Sequence, residues 1–487
     1  MCTPECSSVG TFVTYTSSSY FTYTLQVALL PIGLVMWILR CRLLRRPAPI
    51  LGAACTSAFV GLFMFNKIIL NHATCIASCA STEHLSYQRL QKNEATKKIK
   101  HARVKSFDVN FLPSNSPMED RFVAGISDSL GAAMFSVIDG HKGYLCSQFL
   151  QKHLLQYIYA ELQTKAALTN KSDLEILMDM DSLASFDDFL ATDYSNWKAK
   201  GSHETQELLS SFDIEKCLKS AFVSLDNDIS NTGLAVIKMV NQGHSFTSDM
   251  KDKVMTAIDG ACSIVSVVQG SDIFVANTGD CRVVVGHQVP NRTWQAIPLS
   301  VDQNAQHPGE VERMKKGHPG EENTVIMNNR VLGSLMPFRT FGDVDFKWEK
   351  KYLESIGIPL SPFYYTPPYI TAEPLVTHHQ LQDGDKFMIV ASDGLWEKIT
   401  NEEAVNVVVE SLMDYKSKPS KYSSFWSLFN REEKEQCCSQ NAATKLLWHA
   451  LGGTDERVSE LLDIAPRWSR MYRDDITIIV IFFRNTN

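Results

Sequence analysis

Aspartates recur where apolar runs begin or end. Asp139 closes MFSVI (134–138), Asp393 follows FMIVAS (387–392), and Asp474 and Asp475 stand just before ITIIV (476–480). Asp280 sits in the Thr278-Gly279-Asp280 turn between two further apolar runs. Glu119-Asp120-Arg121 precedes the run 133–138, and Arg339-Thr-Phe-Gly-Asp343 lies between the turn and Asp393. Strand ends are rigid and project side chains into a shared cleft. Carboxylates that converge there without matching cations repel, and a hard divalent ion resolves the repulsion through oxygen ligands. No His/Cys set has zinc-ligand spacing. Any one Asp-Gly taken alone reads as a turn; the information lies in the set.

Such a set needs strands to carry it. AMFSVI (133–138), SIVSVV (263–268), IFVAN (273–277), RVVVG (282–286) and FMIVAS (387–392) read as strands. The runs from 263 to 286 look like a meander with Asp280 in its last hairpin turn. ITIIVIFF (476–483) is apolar throughout and suits a sheet covered on both faces. Helical patterns cover 145–164, 214–228, 402–413 and 441–450. Locally paired strands with helices on their faces make an α+β layered domain. The acidic stretch 171–197 and the Ser/Lys-rich stretch 416–439 read as insertions, either functional or simply solvated surface.

Across 487 residues, 44% are hydrophobic and 21% charged, which excludes a coiled coil and a wholly disordered chain. A net charge of −7 gives no cationic field for nucleic acid. The first 105 residues break from this balance, with 12 Lys or Arg against Glu5, Glu83 and Glu94. The apolar runs 25–39 and 47–66 flank an Arg-rich loop. They fit either a mitochondrial presequence or a membrane-anchoring hairpin through residues 25–66. Residues 1–82 are thus taken as a hydrophobic, basic leader or anchor, 83–105 as a basic linker, and 106–487 as an acidic globular body. Six of the twelve cysteines lie within the first 79 residues. The other six show no disulfide framework, as in a reduced intracellular domain.

PMEDR (117–121), VIDGHKG (137–143), VANTGDCRVVVG (275–286), RTFGD (339–343), ASDGLWE (391–397) and RDDITIIV (473–480) resemble, in order, the motifs of metal-dependent 2C-type Ser/Thr protein phosphatases. The resemblance spans roughly 106–484. FDVNFLPSNSPMEDR (107–121), LDNDIS (225–230), DQNAQ (302–306), VLGSLMPFRTFGDVDFKW (331–348), YTPPYITAEPLVT (365–377) and SRMYRDDITIIV (469–480) are similar to the pyruvate dehydrogenase phosphatase branch of that family.

The resemblance implies a β-sandwich of two mostly antiparallel sheets flanked by helices, with two Mg or Mn ions at one end. It implies that Asp139 bridges the ions, that the Gly140 carbonyl completes one, and that Asp393 and Asp474 hold the other. Glu119 and Asp120 match the supporting acidic pair, Asp280 the position of a weaker third metal, and His141 the proposed general acid. A turn histidine that merely binds a carboxylate is the alternative for His141. Two cations would lower the pKa of water and neutralise the phosphoryl oxygens, so no Cys or Ser nucleophile is needed. Departures from the broad family are Asn115 in place of a phosphate-binding Arg, Lys142, Cys262 and Asp475. Lys142 either reaches substrate phosphate or points to solvent.

None of the departures removes a metal ligand, which argues against a non-catalytic binding module. The branch implies phosphorylated pyruvate dehydrogenase as substrate in mitochondria. It also implies docking on the lipoyl domain of the acetyltransferase core, Ca as a regulator and a regulatory subunit. A membrane-anchored phosphatase acting on other phosphoproteins is the competing reading.

Overall fold

The computed structural model describes residues 85–165, 173–183, 211–290, 293–417 and 441–484. The leader 1–82, with both apolar runs, and most of each insertion lie outside the described residues. In chain order the elements used below are α1 (Leu85–Leu90), β1 (Ala95–Lys98), β2 (Val104–Leu112), β3 (Arg121–Ser127), β4 (Ala132–His141), α2 (Leu145–Lys165), β5 (Glu175–Asp179), α3 (Ser211–Asn241), α4 (Ser248–Ile258), β6 (Gly260–Gln269), β7 (Asp272–Thr278), β8 (Arg282–Gln288), β9 (Trp294–Pro298), β10 (Leu375–Gln380), β11 (Asp385–Ala391), α5 (Asn401–Ser417), α6 (Ala442–Ala450), α7 (Asp455–Leu462) and β12 (Ile476–Phe483).

The strands form two antiparallel sheets. One runs β1-β2-β12-β11-β8-β9; the other runs β10-β7-β6-β4-β3-β5, with Phe341–Gly342 also pairing with β6. Side-chain alternation then sorts the core into layers. Phe107, Val109, Phe135, Val137, Val283, Val285, Val390, Ile479 and Ile481 meet between the sheets. Ile478 and Val480 point the other way, onto Val405, Val408, Leu446 and Leu447 of α5 and α6. Met134 and Ile138 face Leu150, Leu154, Leu218 and Phe222 of α2 and α3. Four layers, helix–sheet–sheet–helix, explain why β12 is apolar on both faces.

The expected α+β sandwich is therefore what forms, with differences of detail. Residues 83–105, read as a linker, hold α1 and β1 from Leu85 onward. Leu90 is buried, and Ala95–Lys98 pairs with Ser106–Val109. The strands at 104–112 and 121–127 add to those expected. The expected meander is also interrupted: β6 and β7 pair, but after Thr278 the chain crosses to the other sheet, where β8 pairs with β11 and β9. Asp280 lies on an inter-sheet crossing and not in a hairpin turn. Both runs are apolar on both faces, so their pattern does not state which sheet each joins. Gly279 makes the crossing with a φ of +108°, and a Cβ there would run into Cys262.

Candidate metal centre

The two sheets deliver their aspartates to the same end of the sandwich. Asp139 leaves the end of β4, Asp280 the crossing after β7, and Asp393 the turn after β11. One carboxylate oxygen from each lies within 4.8 Å of the others. Burial raises all three carboxyls, and repulsion from Asp393 raises Asp139 and Asp280 further, Asp280 to about 7; Asp393 is raised by burial and by Glu397, with a bond to Asp139 opposing. The buried Asp393 Oδ1 lacks a hydrogen-bond partner. An all-oxygen, charge-frustrated cluster with an unpartnered buried oxygen fits a hard divalent cation.

The remaining acids stand around this triad. Asp120 is buried, raised well above the usual range by burial and by Asp475, and accepts from Ser392 Oγ at 2.7 Å. Glu119 is raised by burial and by Asp475, with Arg470 and His141 opposing. Asp474 Oδ1 accepts from the Asp475 N–H at 2.8 Å and is paired with the Arg470 guanidinium. Asp475 organises the loop before β3: it accepts from the N–H groups of Ser114, Asn115 (2.8 Å) and Glu119 (2.7 Å), and from Asn115 Nδ2 at 3.2 Å. The Gly140 backbone lies so close to the Glu119 carbonyl that a Cβ would strike it. The structure thus gathers Asp139, Asp280 and Asp393 in one triad and sets Glu119 and Asp120 beside it, whereas the Asp474 carboxylate, expected to join Asp393, lies outside the triad and is paired with Arg470.

Comparison with known proteins gives this arrangement a family. The Protein phosphatase 2C family model matches residues 177–442. The mitochondrial [pyruvate dehydrogenase [acetyl-transferring]]-phosphatase 1 of Bos taurus is 37% identical over 431 residues, covering 78% of each chain. The human phosphatase 2 of the same name is 35% identical over 420 residues, again 78% of each. The chain belongs to the protein phosphatase 2C family. It is a metal-dependent protein phosphatase by that membership. The Saccharomyces cerevisiae relative is 30% identical over 433 residues, or 77% of this chain and 68% of its own.

In this 2C phosphatase, His141 and Lys142 share a partner, Asp343, which the sequence places in the acidic set without a role. His141 Nε2 lies 2.7 Å from Asp343 Oδ2, and Lys142 Nζ 2.7 Å from Asp343 Oδ1. Thr340 Oγ1 donates to Asp343 at 2.7 Å. Burial alone would lower His141, but the Asp343 carboxylate outweighs it and raises the imidazole. Burial would likewise raise Asp343, yet His141 and Lys142 hold it well below the usual carboxylate range. Lys142 also reaches Asp345 at 2.8 Å, so its ammonium is committed to two carboxylates and does not simply point to solvent.

Asp259, pushed up to about 7 chiefly by burial, accepts from the Leu145 N–H at the start of α2. Asp343 closes the RTFGD run and Asp259 precedes a strand. The strand-end signal that marks Asp139 therefore applies to both. Among the described residues, no helix is long and apolar enough to cross a membrane.

Proposed function

We propose that this protein removes phosphate from seryl residues of phosphorylated pyruvate dehydrogenase in mitochondria. The observation that carries the reading is the 37% identity across 78% of the chain to phosphatases so named, together with an intact acidic triad. Asp139, Asp280, Asp393, Asp474 and the Gly140 carbonyl would hold two Mg or Mn ions and a weaker third, with Glu119 and Asp120 in support. Bound there, the cations supply nucleophilic water near neutral pH and neutralise phosphoryl charge.

The chain's own groups do the rest. When protonated, the His141 ring spends its Nε2–H on Asp343 and keeps Nδ1–H for the departing seryl oxygen. Asp343 maintains that protonation and fixes the ring plane. Lys142 neutralises the second oxygen of Asp343 and steadies it, a use that competes with contact to substrate. The branch likeness also supports docking on the lipoyl domain, a regulatory subunit and Ca as a regulator. The catalytic unit is read as starting by Leu85, since β1 completes a sheet.

The test is a rate assay with the full chain and Mg or Mn. It compares phosphorylated pyruvate dehydrogenase with a generic phosphoserine peptide, beside Asp393→Asn. Fast, metal-dependent release from the dehydrogenase, weak on the peptide and lost in the variant, is expected. Equal turnover of both substrates would overturn the substrate assignment and leave a 2C phosphatase of other specificity.

A further inference from the structure

A phosphoryl dianion entering this cleft meets a wall of carboxylates, so a cation of the chain that faces it would add to the neutralisation that bound metal ions supply. Most cations in the segments that build the site are already committed. Arg121 donates to the carbonyls of Met118 and Asp120, each at 2.7 Å, and is buried. Arg473 is buried and donates to the Pro113 carbonyl and Ser114 Oγ, each at 2.6 Å. Arg282 is held by Asp302 and by Asn401 Oδ1. Lys142 is held between Asp343 and Asp345.

Arg470 differs from all four. Its side chain is 52% exposed, and it pairs with the Asp474 carboxylate through one terminal nitrogen. Asp474 precedes Asp475, whose carbonyl abuts Gly394 directly after Asp393, so the ion pair puts Arg470 beside the acidic cluster. Met471 and Tyr472 beside it are 72% and 61% exposed, so the turn that carries it is open to an incoming molecule.

We infer that Arg470 is the phosphate-binding side chain of this enzyme. Through one nitrogen it stays anchored to Asp474, and it turns the other face of its guanidinium fork to the non-bridging oxygens of the substrate phosphate. The anchoring matters because a guanidinium fixed at one end loses less freedom when it binds. The ligand class is a phosphate monoester dianion, and inorganic phosphate, the product, shares its chemistry. The inference rests on the phosphatase reading above.

The test uses the full chain with saturating Mn and p-nitrophenyl phosphate, and measures inhibition by inorganic phosphate for wild type, Arg470→Ala and Arg470→Lys. Thermal-shift titration with Mn runs beside it and reads metal binding without turnover. Losing one charge-assisted contact should raise the phosphate inhibition constant about 10- to 100-fold in Arg470→Ala. Arg470→Lys should recover part of that loss, and the Mn titration midpoint should stay within about threefold. An unchanged inhibition constant overturns the inference. So does a Mn midpoint that moves in step with it, since Arg470 would then act only through Asp474. A wild-type chain that neither turns over ester nor is inhibited by phosphate overturns the phosphatase reading itself, a result distinct from failure of Arg470 alone.

Discussion

Single side chains in this site carry opposed costs for folding and for chemistry. Asp139, Asp280 and Asp393 crowd three carboxylates at one end of the sandwich; burial raises each, and repulsion from Asp393 adds to it at Asp139 and Asp280. Asp393→Asn removes one of those charges. Without metal, the variant should therefore melt higher than wild type, while kcat with Mn should fall by about 100- to 1000-fold, as when one preorganised electrostatic group is lost. Melting curves in chelator and initial rates in Mn check the two halves; a variant that melts lower in chelator would show that repulsion among the carboxylates does not limit the metal-free fold. Asp343→Asn acts differently, because Asp343 touches His141 and Lys142 but is fully buried. It should lower kcat by about 10- to 100-fold, a fraction of the usual worth of a general acid, with KM for p-nitrophenyl phosphate nearly unchanged. A rise in KM with kcat preserved would mean that Asp343 serves binding.

Where elements join, two positions translate geometry into stability. Gly394 opens the short helix Asp393–Trp396 directly against β12, and a Cβ there would meet the Asp475 carbonyl and Ile476. The obstacle is backbone, so it cannot swing aside. Gly394→Ala should cost about 1–3 kcal/mol in urea unfolding, the range for overpacking, and should disturb Asp393 and Asp475 together. Asp108 sits at the junction of β1, β2 and α6, accepting from Thr96 Oγ1 at 2.7 Å and from the Ala442 N–H at 2.8 Å. Burial, opposed by those bonds and aided by the charge of Glu94, pushes it up to about 6. The folded chain therefore holds a proton that the unfolded chain has released between about pH 4 and pH 6, so this group's contribution to stability falls as pH rises through that window. Asp108→Asn removes the titration and keeps an acceptor for Ala442. Its stability relative to wild type should climb by about 1–3 kcal/mol from pH 4 to pH 7. A relative stability that stays flat with pH would mean that Asp108 is ionised in the fold at no cost.

At the scale of the whole molecule, the sequence carried the ends of the strands more clearly than their partners. Asp139, Asp393 and Asp474 could be found because an apolar run changes abruptly to an acid, and that change marks where a strand reaches the sandwich rim. Which sheet each run joined was not legible. IFVAN and RVVVG are apolar on both faces, so nothing in their alternation separates them, and the crossing at Gly279 depends on packing against Cys262. The role of α1 and β1 was hidden for the opposite reason: β1 is ATKK, polar and charged, and becomes a strand only by pairing along β2. The site shows the same division, since its acids are local signals whereas the Asp343–His141–Lys142 contact joins residues about two hundred positions apart. These facts converge on one linkage. Both sheets end in the acidic cluster, β3, β4 and β7 on one side and β11 and β12 on the other. A cation held by the cluster would therefore tie the two sheets together at the end where their carboxylates crowd. Mn at about 100 times its dissociation constant should add roughly 2.7 kcal/mol to stability, a rise of a few degrees in melting temperature for a domain this large. The gain should shrink in Asp139→Asn and vanish in chelator. Ca, also an oxygen-seeking ion, should reproduce part of it even where it does not support turnover. A melting temperature indifferent to Mn, Mg and Ca alike would mean that the cluster is held by the fold alone.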